Sequence, residues 1–124
     1  MESLTMNKVQ EDEICIRAFT EEDAEAAAVI EAENFSKPWT REGFAKAVQN
    51  KNAVYLVAES KGEILGYAGM WCALDEGEIT NVSVKKSAQG RGIGKLLMQA
   101  LEGKGKEEGV SSYFLEVRCS NERA

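Results

Sequence analysis

The sequence has no histidine. Its absence removes Ser-His-Asp and Cys-His nucleophilic chemistry and takes away the commonest metal ligand, so no metal site is expected. Any catalysis must then draw on carboxylates, hydroxyls, backbone dipoles and a bound cofactor. Cysteine is sparse: Cys15, Cys72 and Cys119 are odd in number, far apart and without a Cys-x-x-Cys spacing, so they read as reduced thiols. Pro38 is the single proline. No apolar run approaches the roughly 20 residues needed to cross a bilayer, and the acidic start lacks the basic-then-apolar order of a secretory signal. A cytoplasmic location without a membrane partner is expected. Positive charge is in deficit, with 15 Lys and Arg against 21 Asp and Glu for a net of −6. That balance argues against general nucleic-acid binding and is compatible with a basic peptide partner.

What is present is ordinary in amount and informative in order. The 124 residues, 44% of them apolar and 29% charged, suit one domain over 1–124 with a core of its own. Residues 1–11 are polar and unpatterned, a loose leader. A short β-rich run at 13–19 predicts a strand, and Thr20 then caps an alanine-rich helix reaching Ala32. Phe35-Ser36-Lys37-Pro38-Trp39 breaks that helix, and Thr40 caps a second with Phe44, Ala47 and Val48 on its buried side. Apolar runs at 53–58 and 64–71 and the β-rich 78–84, separated by turns at Lys61-Gly62 and Asp75-Glu76-Gly77, predict three antiparallel meandering strands. Ile93, Leu96, Leu97, Ala100 and Leu101 form one helical stripe, with fraying expected beyond Glu102 because Gly103 and Gly105 follow. A further strand at 113–118 completes a β-α-β unit whose two strands should run parallel.

Between the third of those meander strands and the stripe lies Gln89-Gly90-Arg91-Gly92-Ile93-Gly94-Lys95, glycine at alternate positions ahead of a helix. Such a turn aims main-chain N–H groups at one point, and the helix dipole adds positive potential there. Residues 85–106 carry Lys85, Lys86, Arg91, Lys95, Lys104 and Lys106 against Glu102 alone, so the local net is 6 − 1 = +5. A basic island in an acidic chain points to a bound anion. Two phosphate loops can be excluded. A Walker loop needs glycine where Gln89 stands and Ser or Thr where Leu96 stands, and a dinucleotide fingerprint needs its third glycine at Lys95 or Leu97.

Gln89-Gly90-Arg91-Gly92-Ile93-Gly94 resembles the Q/R-x-x-G-x-G/A acetyl-coenzyme-A loop of the GNAT superfamily of N-acetyltransferases. Leu115-Glu116-Val117-Arg118-Cys119-Ser120-Asn121 is similar to the L-E-V-R-x-S-N of its RimI-type ribosomal-protein-alanine N-acetyltransferases. Phe35 to Trp39 resembles that group's F-x-x-P-W, and 66–69 and 79–84 resemble its third and fourth strands. The likeness spans residues 13–124. It implies an α/β (α+β) acyl-CoA N-acyltransferase fold, a mixed, mostly antiparallel sheet with a β-α-β cofactor unit. It also implies acetyl-CoA as cosubstrate and a protein N-terminus, the alanine of a ribosomal protein, as acceptor. The chain ends at Ala124, where the family continues with a helix bearing the tyrosine that protonates the departing thiolate and then further strands, so these are expected to be missing.

Carried over by position, the resemblance implies that the backbone of Val82, Ser83 and Val84 pairs with the pantetheine arm. The backbone N–H groups of Gln89, Gly90, Arg91, Gly92, Ile93, Gly94 and Lys95 would hold the pyrophosphate. Glu116 would be the general base, and Asn121 would touch the cofactor near its thioester. An α-amine titrates near 7.7–8.0 and is mostly protonated at neutral pH, and a carboxylate, acting directly or through a water, can remove that proton. From the residues alone, alternation puts Glu116 on one face with Phe114 and Arg118, where a surface ion pair competes with the base role. Pro38 and Trp39 either anchor the helix turn or shape the substrate entrance. Lys85 and Lys86 either meet an outer phosphate or face water. Three rival functions stay open: a relative acting on lysine or a small amine, a coenzyme-A-binding module without activity, and a nucleotide-phosphate binder.

Overall fold

The computed structural model describes residues 13–115. Five strands form one sheet in the order β1 Cys15–Ala18, β2 Ala53–Ser60, β3 Glu63–Ala73, β4 Glu76–Val84 and β5 Ser112–Leu115. The first four are antiparallel neighbours, and β5 runs parallel to β4, as the β-α-β pattern predicts. Helices α1 (Ala24–Asn34) and α2 (Arg41–Ala47) cover one face, and α3 (Ile93–Glu107) covers the other.

Side-chain alternation divides the core between those faces. Leu56, Ala58, Ala68, Met70 and Ile79 point toward α3 and meet Ile93, Leu97 and Leu101. Tyr55, Val57 and Tyr67 point the other way and meet Phe19, Ala27, Ile30 and Phe44. A single turn at Glu21–Asp23 leads into α1, and Asp23 accepts the Thr20 backbone N–H at 2.8 Å. The Thr40 cap is present, its hydroxyl oxygen accepting the Gly43 N–H at 3.1 Å. Lys61 and Gly62 turn β2 into β3 with φ of 53° and 81°, the left-handed pair of a tight hairpin.

Three expectations need correction. The β3–β4 turn is Leu74-Asp75, not Asp75-Glu76-Gly77: Leu74 takes the positive φ (58°), and Gly77 lies inside β4 opposite Cys72. A Cβ on Gly77 would stand 3.0 Å from the Met70 sulfur, so this glycine serves close packing rather than turning. Helix α3 does not fray after Glu102 but continues to Glu107, because Tyr113 crosses it at Gly105, where a Cβ would overlap the Tyr113 hydroxyl oxygen, and donates that hydroxyl to the Glu102 carbonyl at 3.0 Å. Its buried stripe is Ile93, Leu97, Leu101 and Gly105, with Leu96 exposed. Among the described residues no helix is long and apolar enough to cross a membrane.

Candidate active site

β4 is not a regular strand where it nears the glycine turn. Gly69 faces Asn81 and Met70 faces Ile79, so Thr80 is an extra residue, a bulge that bends the strand. Beyond it the pairing to β3 resumes, with Lys85 N–H on the Leu65 carbonyl at 2.7 Å. In an antiparallel ladder alternate residues bond to the partner, so Lys85 and Ser83 face β3 with their main-chain groups. The N–H and C=O of Val82 and Val84 therefore turn away from β3, toward the side on which β5 lies. They form the start of a strand edge that can accept a ligand's amides.

The turn that follows begins with a single turn at Lys86–Ala88, where Ala88 is buried as an anchor. Gly90 and Gly92 take φ of 85° and 80°, a conformation in which a side chain would be strained. Gly94 does not need that freedom, since it lies within the first turn of α3. Gly92 occupies the cap position without a side chain, and the first intrahelical bond runs from Leu96 N–H to the Gly92 carbonyl at 3.1 Å. The N–H groups of Ile93, Gly94 and Lys95 have no partner inside the helix. An anion is the complement of such an end, and the exposed Arg91 and Lys95 add charge beside it.

The basic island is smaller in space than in sequence. Lys85 forms an ion pair with Glu63. Lys104 and Lys106 sit in the last turn of α3, about 18 Å along the axis from Gly92, and Lys104 pairs with Glu107 at 3.7 Å. Lys86, Arg91 and Lys95 remain near the turn.

The last turns of α1 tie this region together, through residues that sequence reasoning missed. Glu31 is fully buried; it accepts the Tyr67 hydroxyl and the Trp39 N–H, the latter at 3.1 Å. Glu33 accepts the Lys86 N–H at 3.0 Å. Asn34 donates to Ser83 Oγ at 2.5 Å and to the Val84 carbonyl at 2.9 Å. Gln89 donates to that same carbonyl at 3.0 Å. A signal was available, because Ala27, Ile30, Glu31 and Asn34 fall at helical spacing on one stripe, and two polar residues on an apolar stripe need partners. Beside them Tyr55 donates to Asn81 Oδ1 at 3.4 Å. Burial, helped by the charge of Glu31 and opposed by a hydrogen bond with Thr80, pushes the Tyr55 hydroxyl up to about 12, so it stays protonated at neutral pH.

At the other end of the strands a cavity of about 540 Å³ opens between α2 and β3, lined by Trp39, Thr40, Lys46, Asn50 and Trp71 among others. Trp39 also packs on Phe44, ring centroids 5.2 Å apart, while Pro38 is exposed. Trp71 faces Glu78 and Ala68 faces Val82, so Trp71 lies about 10 Å along β3 from the level of Val82. The site residues Val82, Ser83, Val84 and 89–95 are thus brought together, while Trp39 lines the cavity with Trp71 and its N–H is held by Glu31. Glu116 and Asn121 lie outside the described residues.

Residues 18–124 match the profile of the acetyltransferase (GNAT) family. A Bacillus subtilis (strain 168) protein, provisionally named a ribosomal protein bS18-alanine N-acetyltransferase, is 36% identical over 110 residues, covering 88% of this chain and 73% of that protein. The ribosomal protein bS18-alanine N-acetyltransferase of Haemophilus influenzae is 35% identical over 99 residues, 80% of this chain and 67% of that protein. The crystal structure of the ribosomal-protein-S18-alanine N-acetyltransferase from Escherichia coli matches with a TM-score of 0.78 at 28% identity, over 88% of this chain and 70% of that one.

Proposed function

The chain belongs to the acetyltransferase (GNAT) family, an enzyme family that uses acetyl-CoA, and on that premise we propose that it acetylates the N-terminal α-amine of a protein, the alanine of a ribosomal protein. The substrate follows the names of the relatives, the bS18-alanine N-acetyltransferases at 35–36% identity. The single domain over 1–124 would act in the cytoplasm, on a basic target that its net charge of −6 suits.

The observation that carries the cofactor assignment is the pairing of two features at one end of the sheet. One is a glycine-capped helix start whose N–H groups suit a diphosphate, and the other is the outward edge of β4 at Val82 and Val84. The residues present fit acetyl-CoA. The N–H groups from Gln89 to Lys95 would hold the diphosphate, and the Val82–Val84 backbone would align the arm as an added strand. When bound, acetyl-CoA supplies an acetyl group activated as a thioester. The N–H groups at this edge would stabilise the charge that develops on the acyl oxygen. Glu116 would take the proton from the incoming ammonium, and Asn121 would hold the acyl end. Trp39 and Pro38, with the cavity that Trp39 shares with Trp71, would form the acceptor's entrance.

The test is mass spectrometry of an alanine-initiated ribosomal peptide after incubation with the protein and acetyl-CoA. An acetyl group on the α-amine is expected, and modification confined to lysine would overturn the substrate assignment. Glu116→Gln should lower kcat/KM on the order of 100-fold near neutral pH, with a smaller deficit as rising pH deprotonates the amine. An unchanged rate at all pH values would remove Glu116 from the base role.

A further inference from the structure

We propose that Asn34 is a positioning residue for the cofactor. By filling the Val84 carbonyl together with Gln89, it restricts the incoming arm to the Val82 N–H, the Val82 carbonyl and the Val84 N–H. The inference rests on the cofactor placement given above and adds to it which main-chain groups are used and what sets them.

A carbonyl oxygen has two lone pairs. Both directions at Val84 are in use, by Asn34 Nδ2 at 2.9 Å and by Gln89 Nε2 at 3.0 Å. The second N–H of the Asn34 amide goes to Ser83 Oγ at 2.5 Å, and its Oδ1 faces Gln89 Nε2 at 3.5 Å. Asn34 is 8% exposed, so the amide is held with little access to water. A tie between α1 and β4 needs only one of these bonds. Satisfying the one carbonyl that β4 turns outward beside the glycine turn does something more specific, since an arm laid along β4 finds no acceptor there and must sit deeper, toward Val82. Gln89 is also the first residue of the glycine turn, and it shares its acceptor with Asn34. One buried amide thus couples the position of the arm to the position of the diphosphate loop.

The experiment is calorimetric titration of coenzyme A into the full chain as wild type, N34D, N34A, Q89A and N34A/Q89A, with melting temperature recorded for each. N34D keeps the shape of the side chain and loses both donors but brings a carboxylate near the diphosphate turn, so N34A, which loses the donors without adding charge, carries the comparison. Coenzyme A should bind N34A about three- to tenfold more weakly, the cost of about one main-chain hydrogen bond to an arm no longer held in one register. The KM for acetyl-CoA should rise in parallel and kcat should fall, because the thioester shifts with the arm, while the peptide KM holds. N34A and Q89A should be non-additive in coenzyme A affinity, because both donate to one carbonyl. N34A binding coenzyme A as wild type does, or a loss that falls equally on the peptide KM, would overturn the role of Asn34 and leave the cofactor placement standing. A wild-type chain that binds no coenzyme A would overturn the placement itself, and this inference with it.

Discussion

On the α3 side of the sheet the buried side chains are hydrocarbon and sulfur, with Ile93, Leu97 and Leu101 packed on Leu56, Met70 and Ile79. On the α1 side Glu31, Asn34, Asn81 and Ser83 are buried among Phe44, Tyr55 and Tyr67. The first layer supplies stability through area alone, and the ligand end it presents is made of main chain, the cap of α3. The second layer spends part of its interior on hydrogen bonds, each of which fixes a strand or loop at a chosen place: Trp39 through Glu31, Val84 and Gln89 through Asn34. Damage to the first should therefore lower stability broadly, while damage to the second should displace particular groups.

The largest expected effect is on the apolar side. Leu97→Ala removes a fully buried side chain and should cost about 2–5 kcal/mol in urea unfolding, with coenzyme A affinity of the folded protein nearly unchanged. An equally large fall in affinity would blur the distinction between the layers. Glu31→Ala comes next, at about 1–3 kcal/mol, because Tyr67 and Trp39 lose a buried acceptor. Its peptide KM should rise more than its acetyl-CoA KM, since Trp39 lines the cavity away from the glycine turn.

Gly92→Ala should cost about 1–2 kcal/mol through its φ of 80° and should weaken coenzyme A binding beyond what that loss explains. Wild-type affinity in a folded Gly92→Ala would break the link between the turn and the ligand. The smallest effect concerns Asp23, whose carboxyl burial pushes up and whose bonds from Arg17, at 2.8 and 3.0 Å, and from Thr20 pull down by more, to below the ordinary carboxylate value. A depressed pKa means stability that is present above about 3.9 and is lost as pH falls through the folded value. Asp23→Asn should flatten that part of the acid branch of melting temperature against pH.

Much of this fold is legible in the sequence, because β2 and β3 hold apolar runs, β4 alternates polar and buried positions, and most turns carry their own markers. Lys61-Gly62, Thr40 and the glycine turn are local features, and each stands where local chemistry predicts. The misses are non-local. Gly77 and Gly105 look like breakers until Met70 and Tyr113 are brought against them. The bulge at Thr80 follows from register with β3, which no single segment contains. Glu31 and Asn34 stand on the apolar stripe of their helix, which marks them as needing partners, but those partners come from positions 39, 67, 83, 84 and 89, which the helix itself does not name. The motif around Gln89 marks where a diphosphate would go, but the half of the basic island that is neutralised or distant is invisible without Glu63 and the length of α3.

The account depends most on the main-chain amides at the start of α3, and titrating coenzyme A into the isotopically labelled protein while following its backbone amide resonances tests them directly. The largest shifts should fall on Gly90 to Lys95 and on Val82 and Val84, with Lys104 and Lys106 little affected. Shifts gathered instead around Trp39 and Trp71, or none at saturating coenzyme A, would contradict it.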